Sequence, residues 1–180
     1  TYGADDNASG TSAVLEAARI LRNYEFDYTI IFAAWDEEER WFFGSGAYAD
    51  ICFKNSDSIV AVINLDMIGW DGNNDGIARI GKDSNSVYLA GIMESAIYTY
   101  IPALNPQLAS SGGSDDVAFQ RRGYKAILLI EDMGLDFNPY YHSINERFVH
   151  FNLPYFASMT RSAIACLLVL QKDFIINIEH

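Results

Sequence analysis

At 180 residues, half of them hydrophobic and 14% aromatic, the chain is long enough for one domain with a substantial core and too short to suggest two. A formal charge of −12, from 24 acidic against 12 basic residues, argues against nucleic acid or an anionic membrane surface as a partner, because both repel such a protein, and makes cations the better guess. The longest apolar stretches, such as residues 163–170, fall short of the roughly 20 residues a bilayer span needs, so no membrane span is expected.

The opening loop YGADDNASG leads into a helix over 10–23, with Val14, Leu15, Ala18 and Leu21 at helical spacing and Asn7 or Ser9 as caps. YTIIFAAW (28–35) is β-branched and aromatic and reads as a buried strand; 44–55 reads as a short helix. A second buried strand covers 58–66, and the loop WDGNNDG separates it from a short strand, IARIG. A helix over 84–101 is stopped by Pro102, a loop with a short helix ends at Gly123, and KAILLI (125–130) is a further strand. The last helix starts at Pro154. Cys52 and Cys166 lack CxxC spacing and read as core residues. Strands apolar on both faces, alternating with helices, indicate an α/β fold with a largely parallel sheet.

In such sheets ligands bind beyond the carboxyl ends of the strands. Strand 28–35 ends in Asp36, Glu37, Glu38 and Glu39; strand 58–66 ends in Asp66; strand 125–130 ends in Glu131 and Asp132 and continues to His142. The opening loop adds Asp5 and Asp6. Carboxylates gathered at neighbouring strand ends repel one another unless a cation sits among them, and imidazole in the set favours zinc or another transition ion over magnesium. Taken alone, Asp5, Asp6 and Asn7 read as helix caps and Glu37 to Glu39 as a solvated turn. Asp66 is harder to dismiss, because a carboxylate inside VINLDMIG is costly unless paired or metal-bound. DGNNDG resembles the start of a calcium loop, but Lys82 occupies the twelfth position where a bidentate Glu is required, so turn chemistry is expected there.

Several blocks together resemble the M28 family of zinc metallopeptidases: GADDNASG, the Glu38–Glu39 pair six and five residues before Gly44–Ser45, NLDMIG, SDD followed by FQRRGYKAILLI, and NPYYHS. They occur in family order across nearly the whole chain. The resemblance implies a three-layer α/β/α sandwich of the zinc-exopeptidase type around a mixed, mostly parallel sheet. It further implies a zinc-dependent exopeptidase, most readily an aminopeptidase, acting on a peptide or aminoacyl substrate. Carried over by position, it makes Asp5 the carboxylate between two zinc ions, with Glu39 and His142 on one ion, Asp66 on the other, and Glu38 the general base for a metal-activated water. It implies a cis peptide between Asp5 and Asp6. A glutaminyl cyclase-like acyltransferase with one zinc held by Asp5, Glu39 and His142, and a non-catalytic domain of the same fold, remain open; the Glu38–Glu39 pair speaks against the latter.

Departures from the family pattern set further expectations. The family's upstream HxD segment has no counterpart after Thr1, and the histidines present are His142, His150 and His180. The 180 residues are thus expected to form the C-terminal portion of one zinc-peptidase domain, with one zinc or none where the complete domain holds two, and to be inactive alone. Asp116 stands where the family has histidine, Trp41 replaces a glycine and is expected to put a ring near the substrate pocket, and Glu146 stands where aspartate is commoner. Members of this kind are often exported, so a secreted or periplasmic location is expected.

Overall fold

Strands β1 (Val62–Leu65), β2 (Ile77–Lys82), β3 (Asn105–Ser110) and β4 (Ala126–Ile130) form one sheet in the order β1-β4-β2-β3. The computed structural model that shows this describes residues 2–176; His180 lies outside the described residues. Strand β4, AILLI, is apolar at every position and occupies the middle of the sheet, where both faces are covered. It runs parallel to β1, with Leu65 opposite Leu129, and antiparallel to β2, with Arg79 opposite Ile130 and Gly81 opposite Leu128. β3 runs parallel to β2, so the sheet is mixed. No strand is expected from the sequence NPQLAS; it pairs at the edge, where Pro106 need not donate to a further neighbour.

Helices α1 (Ala8–Leu21), α3 (Val87–Tyr100) and α5 (Leu153–Ile176) cover one face. There Ile80, Ile127 and Leu129 of the sheet meet Met93, Ile97 and Met159, all buried, and each large side chain contributes about 1.5–3 kcal/mol on leaving water. Helices α2 (Phe43–Asn55) and α4 (Asp116–Gln120) cover the other face over Ala126. Leu128 and Ile130, farther along β4 on that second face, line an open cleft instead. Helix α5 is long and apolar enough to cross a membrane by length and composition, which the short apolar runs of the sequence did not suggest. It nonetheless buries Tyr155, Met159 and Cys166 in the core beside α3, as a core helix does. Cys52 and Cys166 are both free and buried.

The expected strand over 28–35 does not form. Residues 29–35 run without assigned secondary structure, and Ile31 is 66% exposed. The end of the segment is anchored where Trp35 packs on the rings of Tyr48 and Phe119 at 5.0 and 5.9 Å. β-branched and aromatic residues favour a half-buried pleated surface, but a strand also needs a ladder partner, and β1 pairs only with β4 among the described residues. The loop after β1 behaves as its turn residues suggest: Asp71 accepts from the Asp75 amide and Asp75 from the Ile77 amide.

Helix α1 is docked against the end of β1 by its cap. The Asn7 side chain accepts from Gly10 N at 2.9 Å and donates to Leu65 O at 2.8 Å. The approach is so close that a Cβ on Gly10 would lie 2.2 Å from Leu65 O and 2.5 Å from Asn7 Oδ1. Gly10→Ala therefore forces helix and strand apart and is expected to destabilise the protein by about 1–3 kcal/mol, read as a lowered midpoint in urea unfolding.

Candidate metal centre

The opening loop sends its two aspartates in different directions. The amides of Asp5 and Asp6 both donate to Oε1 of Glu146, at 2.9 and 2.6 Å. So clamped, the buried Asp5 carboxylate accepts from Gly69 N at 2.9 Å and from Asn138 Nδ2 at 2.8 Å. Asp6 turns the other way and brings Oδ2 to 2.9 Å from His142 Nε2. The cis peptide lies between Asp6 and Asn7 rather than between Asp5 and Asp6. The structure thus corrects the sequence expectation by one residue: Asp6, and not Asp5, stands with the histidine. Adjacent carboxylates look alike in sequence, and the Glu146 clamp together with the burial of Asp5 under Gly69 decides which faces the cleft.

The acidic turn after Trp35 supplies the next groups. Glu37, Trp41 and Phe42 all adopt left-handed backbone conformations around the short turn Glu38–Arg40. That turn places Glu39 Oε1 2.6 Å from His142 Nε2. His142 itself has φ 53° and its ring stacks on Tyr141 at 3.8 Å. Ligand-type atoms of Asp6, Glu39 and His142 lie within 4.8 Å of one another. A zinc ion with bonds of about 2.0–2.2 Å to nitrogen and carboxylate oxygen fits among atoms so spaced.

Asp66 and Glu38 face the same cleft, of about 260 Å³, as Asp6 and Glu39. At the end of β1, Asp66 Oδ2 accepts from Ser114 Oγ at 2.6 Å, and that hydroxyl in turn accepts from Asn64 Nδ2 at 2.9 Å. Its other oxygen, Oδ1, is buried with no hydrogen-bond partner among the described residues. A buried, orphaned carboxylate oxygen is expensive, and a cation would satisfy it. The electrostatics agree with that need. Burial pushes the Asp66 carboxyl up to about 8, with Asp6, Glu38 and Asp115 adding repulsion against the Ser114 hydrogen bond. Burial, then the charges of Asp115, Glu39 and Asp6, push Glu38 up to about 7 against the pull of His142. Partial burial lowers His142, but the carboxylates of Glu39 and Asp6 outweigh it and raise the imidazole above its usual value.

Three further carboxylates, two just after β4 and one at the start of α4, hold the site's frame. Glu131 is fully buried, accepts from Trp70 N at 2.8 Å through Oε2 and is hydrogen-bonded to Asp5; burial and the Asp5 charge push it up to about 11. Burial beside Asp5 thus favours the neutral form of Glu131. Asp132 is paired with Arg79, Nε to Oδ1 at 2.6 Å. Asp116, in the place of the family's histidine, accepts from Ser111 Oγ and Gln120 Nε2 and so ties down the loop carrying Ser114. Trp41 does not crowd the pocket as expected: it is 86% exposed and lies outside the cleft lining, because its left-handed backbone turns it to solvent. Glu131, Ser114 and Asn138 escaped the sequence reading. Glu131 stood among the strand-end acids, but no spacing rule distinguished it.

An α/β sheet with a carboxylate and histidine cluster at its strand ends defines a candidate metallohydrolase. The sequence matches Peptidase family M28 over residues 1–167, and the chain belongs to that family. Aminopeptidase YwaD of Bacillus subtilis is 30% identical over 154 residues, which cover 82% of this chain and 33% of YwaD. Among solved structures, the Legionella pneumophila LapA aminopeptidase superposes with a TM-score of 0.86 at 26% identity, over 94% of this chain and 47% of that one. BSAP, a zinc aminopeptidase from Bacillus subtilis, superposes with a TM-score of 0.81 at 27% identity, over 92% of this chain and 41% of that one. The chain thus spans about a third of YwaD and about half of LapA. The fold class expected from the sequence, a mixed α/β sandwich of the zinc-aminopeptidase type, is the one found.

The Glu131 proton gives a measurable pH signature. Its pKa in the fold, about 11, lies far above the value near 4.5 of an unfolded glutamate, so folding takes up a proton at neutral pH. Stability from this group is complete below about pH 4.5 and is lost as pH rises towards the folded value, at up to about 1.4 kcal/mol per pH unit. Glu131→Gln keeps a donor for Asp5 and an acceptor for Trp70 but cannot titrate. Urea unfolding between pH 5 and 8 is expected to show a slope of stability against pH shallower by about that amount in the variant; equal slopes would mean that Glu131 is ionised in the fold.

Proposed function

We propose that the protein is a zinc-dependent aminopeptidase in which Asp6, Glu39 and His142 hold one ion and Asp66 contributes to a second position next to Asp6. The observation that carries this reading is the convergence of Asp6, Glu39 and His142 to within 4.8 Å, with Glu38 and Asp66 lining the same cleft. Zinc bound there would polarise the scissile carbonyl and make water acidic enough to be deprotonated near neutral pH. Glu38 would be the base: it lines the same cleft as Asp6, Glu39 and Asp66, placed to accept a proton and return it to the leaving amine. The residues around it fix the geometry. Glu146 orients Asp6 through the backbone, and Ser114 and Asn64 orient Asp66. The surplus of carboxylates suits a free N-terminal ammonium, which favours action at the amino end of a peptide.

Glu38→Gln preserves shape and hydrogen bonding but cannot accept the proton. It is expected to lower aminoacyl-arylamide hydrolysis by about 10²–10⁴-fold while zinc content by elemental analysis stays unchanged. His142→Ala is expected to lose both zinc and activity. Full activity in the Glu38 variant, or zinc content indifferent to His142, would overturn the proposal.

A further inference from the structure

The cleft carries one cation among its lining residues, and the proposed chemistry leaves it without a task. Arg79 lies on β2, opposite Ile130 of β4, and lines the same cleft as Glu38 and Asp66. Besides the acids already described, the cleft is lined by the apolar Met67, Leu128, Ile130 and Met133 and the small Gly81 and Ala109. Gly81 keeps the floor open, since a Cβ there would stand 3.2 Å from Ser111 Cα and 3.3 Å from Leu128 Cβ.

The guanidinium is held in place by Asp132. Its Nε and Nη2 both reach Asp132 Oδ1, and that carboxylate is itself fixed by the amides of Gly134 and Leu135 at 2.9 and 3.2 Å. Gly134 permits the approach, because a Cβ there would come within 3.0 Å of Arg79 Nη2. The pair is asymmetric: the Asp132 side chain is 4% exposed and that of Arg79 27%. With Nε and Nη2 committed to Asp132, Nη1 keeps two protons for whatever enters the cleft. A guanidinium locked by one carboxylate, with spare donors in a cleft that also offers apolar side chains, is a recognition element for an acceptor oxygen.

We propose that Arg79 selects the N-terminal residue of the substrate, favouring a side chain that ends in a carbonyl or carboxylate oxygen at the δ position, glutamine or glutamate. The inference rests on the aminopeptidase reading, which puts the scissile carbonyl beside Asp6 and Glu38. From Asp66 on β1 to Arg79 on β2 the backbone crosses two strand spacings, about 10 Å. A side chain of glutamine length reaching towards an arginine bridges that span, with its methylenes against Met67, Leu128 and Ile130; serine or alanine stops short. Because Asp132 already balances the arginine charge, the neutral amide and the carboxylate share one mode of binding, through the acceptor oxygen.

The test compares glutaminyl, glutamyl and norleucyl groups, the last matching glutamine in length without an acceptor. On the zinc-loaded protein, calorimetric binding of the three aminoacyl hydroxamates is measured beside kcat/KM for the three arylamides. A preference of about tenfold or more for glutaminyl or glutamyl over norleucyl is expected, as for one charge-assisted hydrogen bond. Arg79→Met is expected to bring the ratio near one. Arg79→Leu combined with Asp132→Leu, which leaves no unpaired buried charge, should do the same in a protein checked for folding by circular dichroism. A norleucyl group bound as well as glutaminyl and glutamyl by the unaltered protein, a ratio unchanged in both variants, or no binding of any hydroxamate would overturn the inference. If the hydroxamate preference holds and vanishes in the variants while no arylamide turns over, Arg79 is still the selector and it is the aminopeptidase reading that fails.

Discussion

One carboxylate oxygen, Oε1 of Glu146, organises the opening loop that carries Asp5 and Asp6. By accepting the amides of both Asp5 and Asp6 it sets the peptide planes from which two adjacent side chains diverge, one into the core and one into the cleft. A charged acceptor shared by two backbone donors is stronger than a neutral one, and Glu146, at 2% exposure, works away from competing water. Everything downstream of Asp6, including its approach to His142 and Glu39, inherits this orientation. Below it, Asp5 repeats the arrangement by accepting from Gly69 and Asn138 while sharing a proton with Glu131.

The site is thus two layers of acids with different partners. In the lower layer Asp5 is hydrogen-bonded, Asp132 has Arg79, and burial beside Asp5 favours the neutral form of Glu131. The upper layer of Asp6, Glu38, Glu39 and Asp66 is not satisfied by protein groups alone, as the orphaned Oδ1 of Asp66 shows. Like charges so placed raise one another's pKa values, and the same crowding that makes the cluster unfavourable alone makes it receptive to a divalent cation. Left-handed backbone at Glu37, Trp41, Phe42, Met67 and His142 marks where the chain is bent to deliver these groups.

The sheet explains why a cleft exists where the chemistry is proposed. Ile127 and Leu129 of β4 point into the layer of α1, α3 and α5, while Ala126 meets α2 and α4. Farther along the second face, where β2, β3 and the segment around Gly112 and Gly113 carry small residues, Leu128 and Ile130 line a cleft instead of packing under a helix. The result is an apolar trough opening directly from the strand ends that carry Asp66 and Glu131.

Much of this was legible in the amino-acid order. Apolar runs located β1 and β4, helical spacing located α1 and α3, the rule that ligands gather at strand ends put the acids and His142 in one pool, and the family resemblance picked Glu38, Glu39, Asp66 and His142 out of it. The edge strand β3 was hidden because NPQLAS carries no β-branched pattern, and 28–35 was misread because apolar composition speaks of burial while a ladder needs a partner. By itself the sequence determined the fold class and the pool of acids available to a cation. Only the tertiary structure decided that Asp6 rather than Asp5 faces His142, that burial favours the neutral form of Glu131 and that Arg79 lines the cleft. Those choices depend on contacts between residues far apart in the chain, such as Glu146 with the Asp6 amide, which no local pattern encodes.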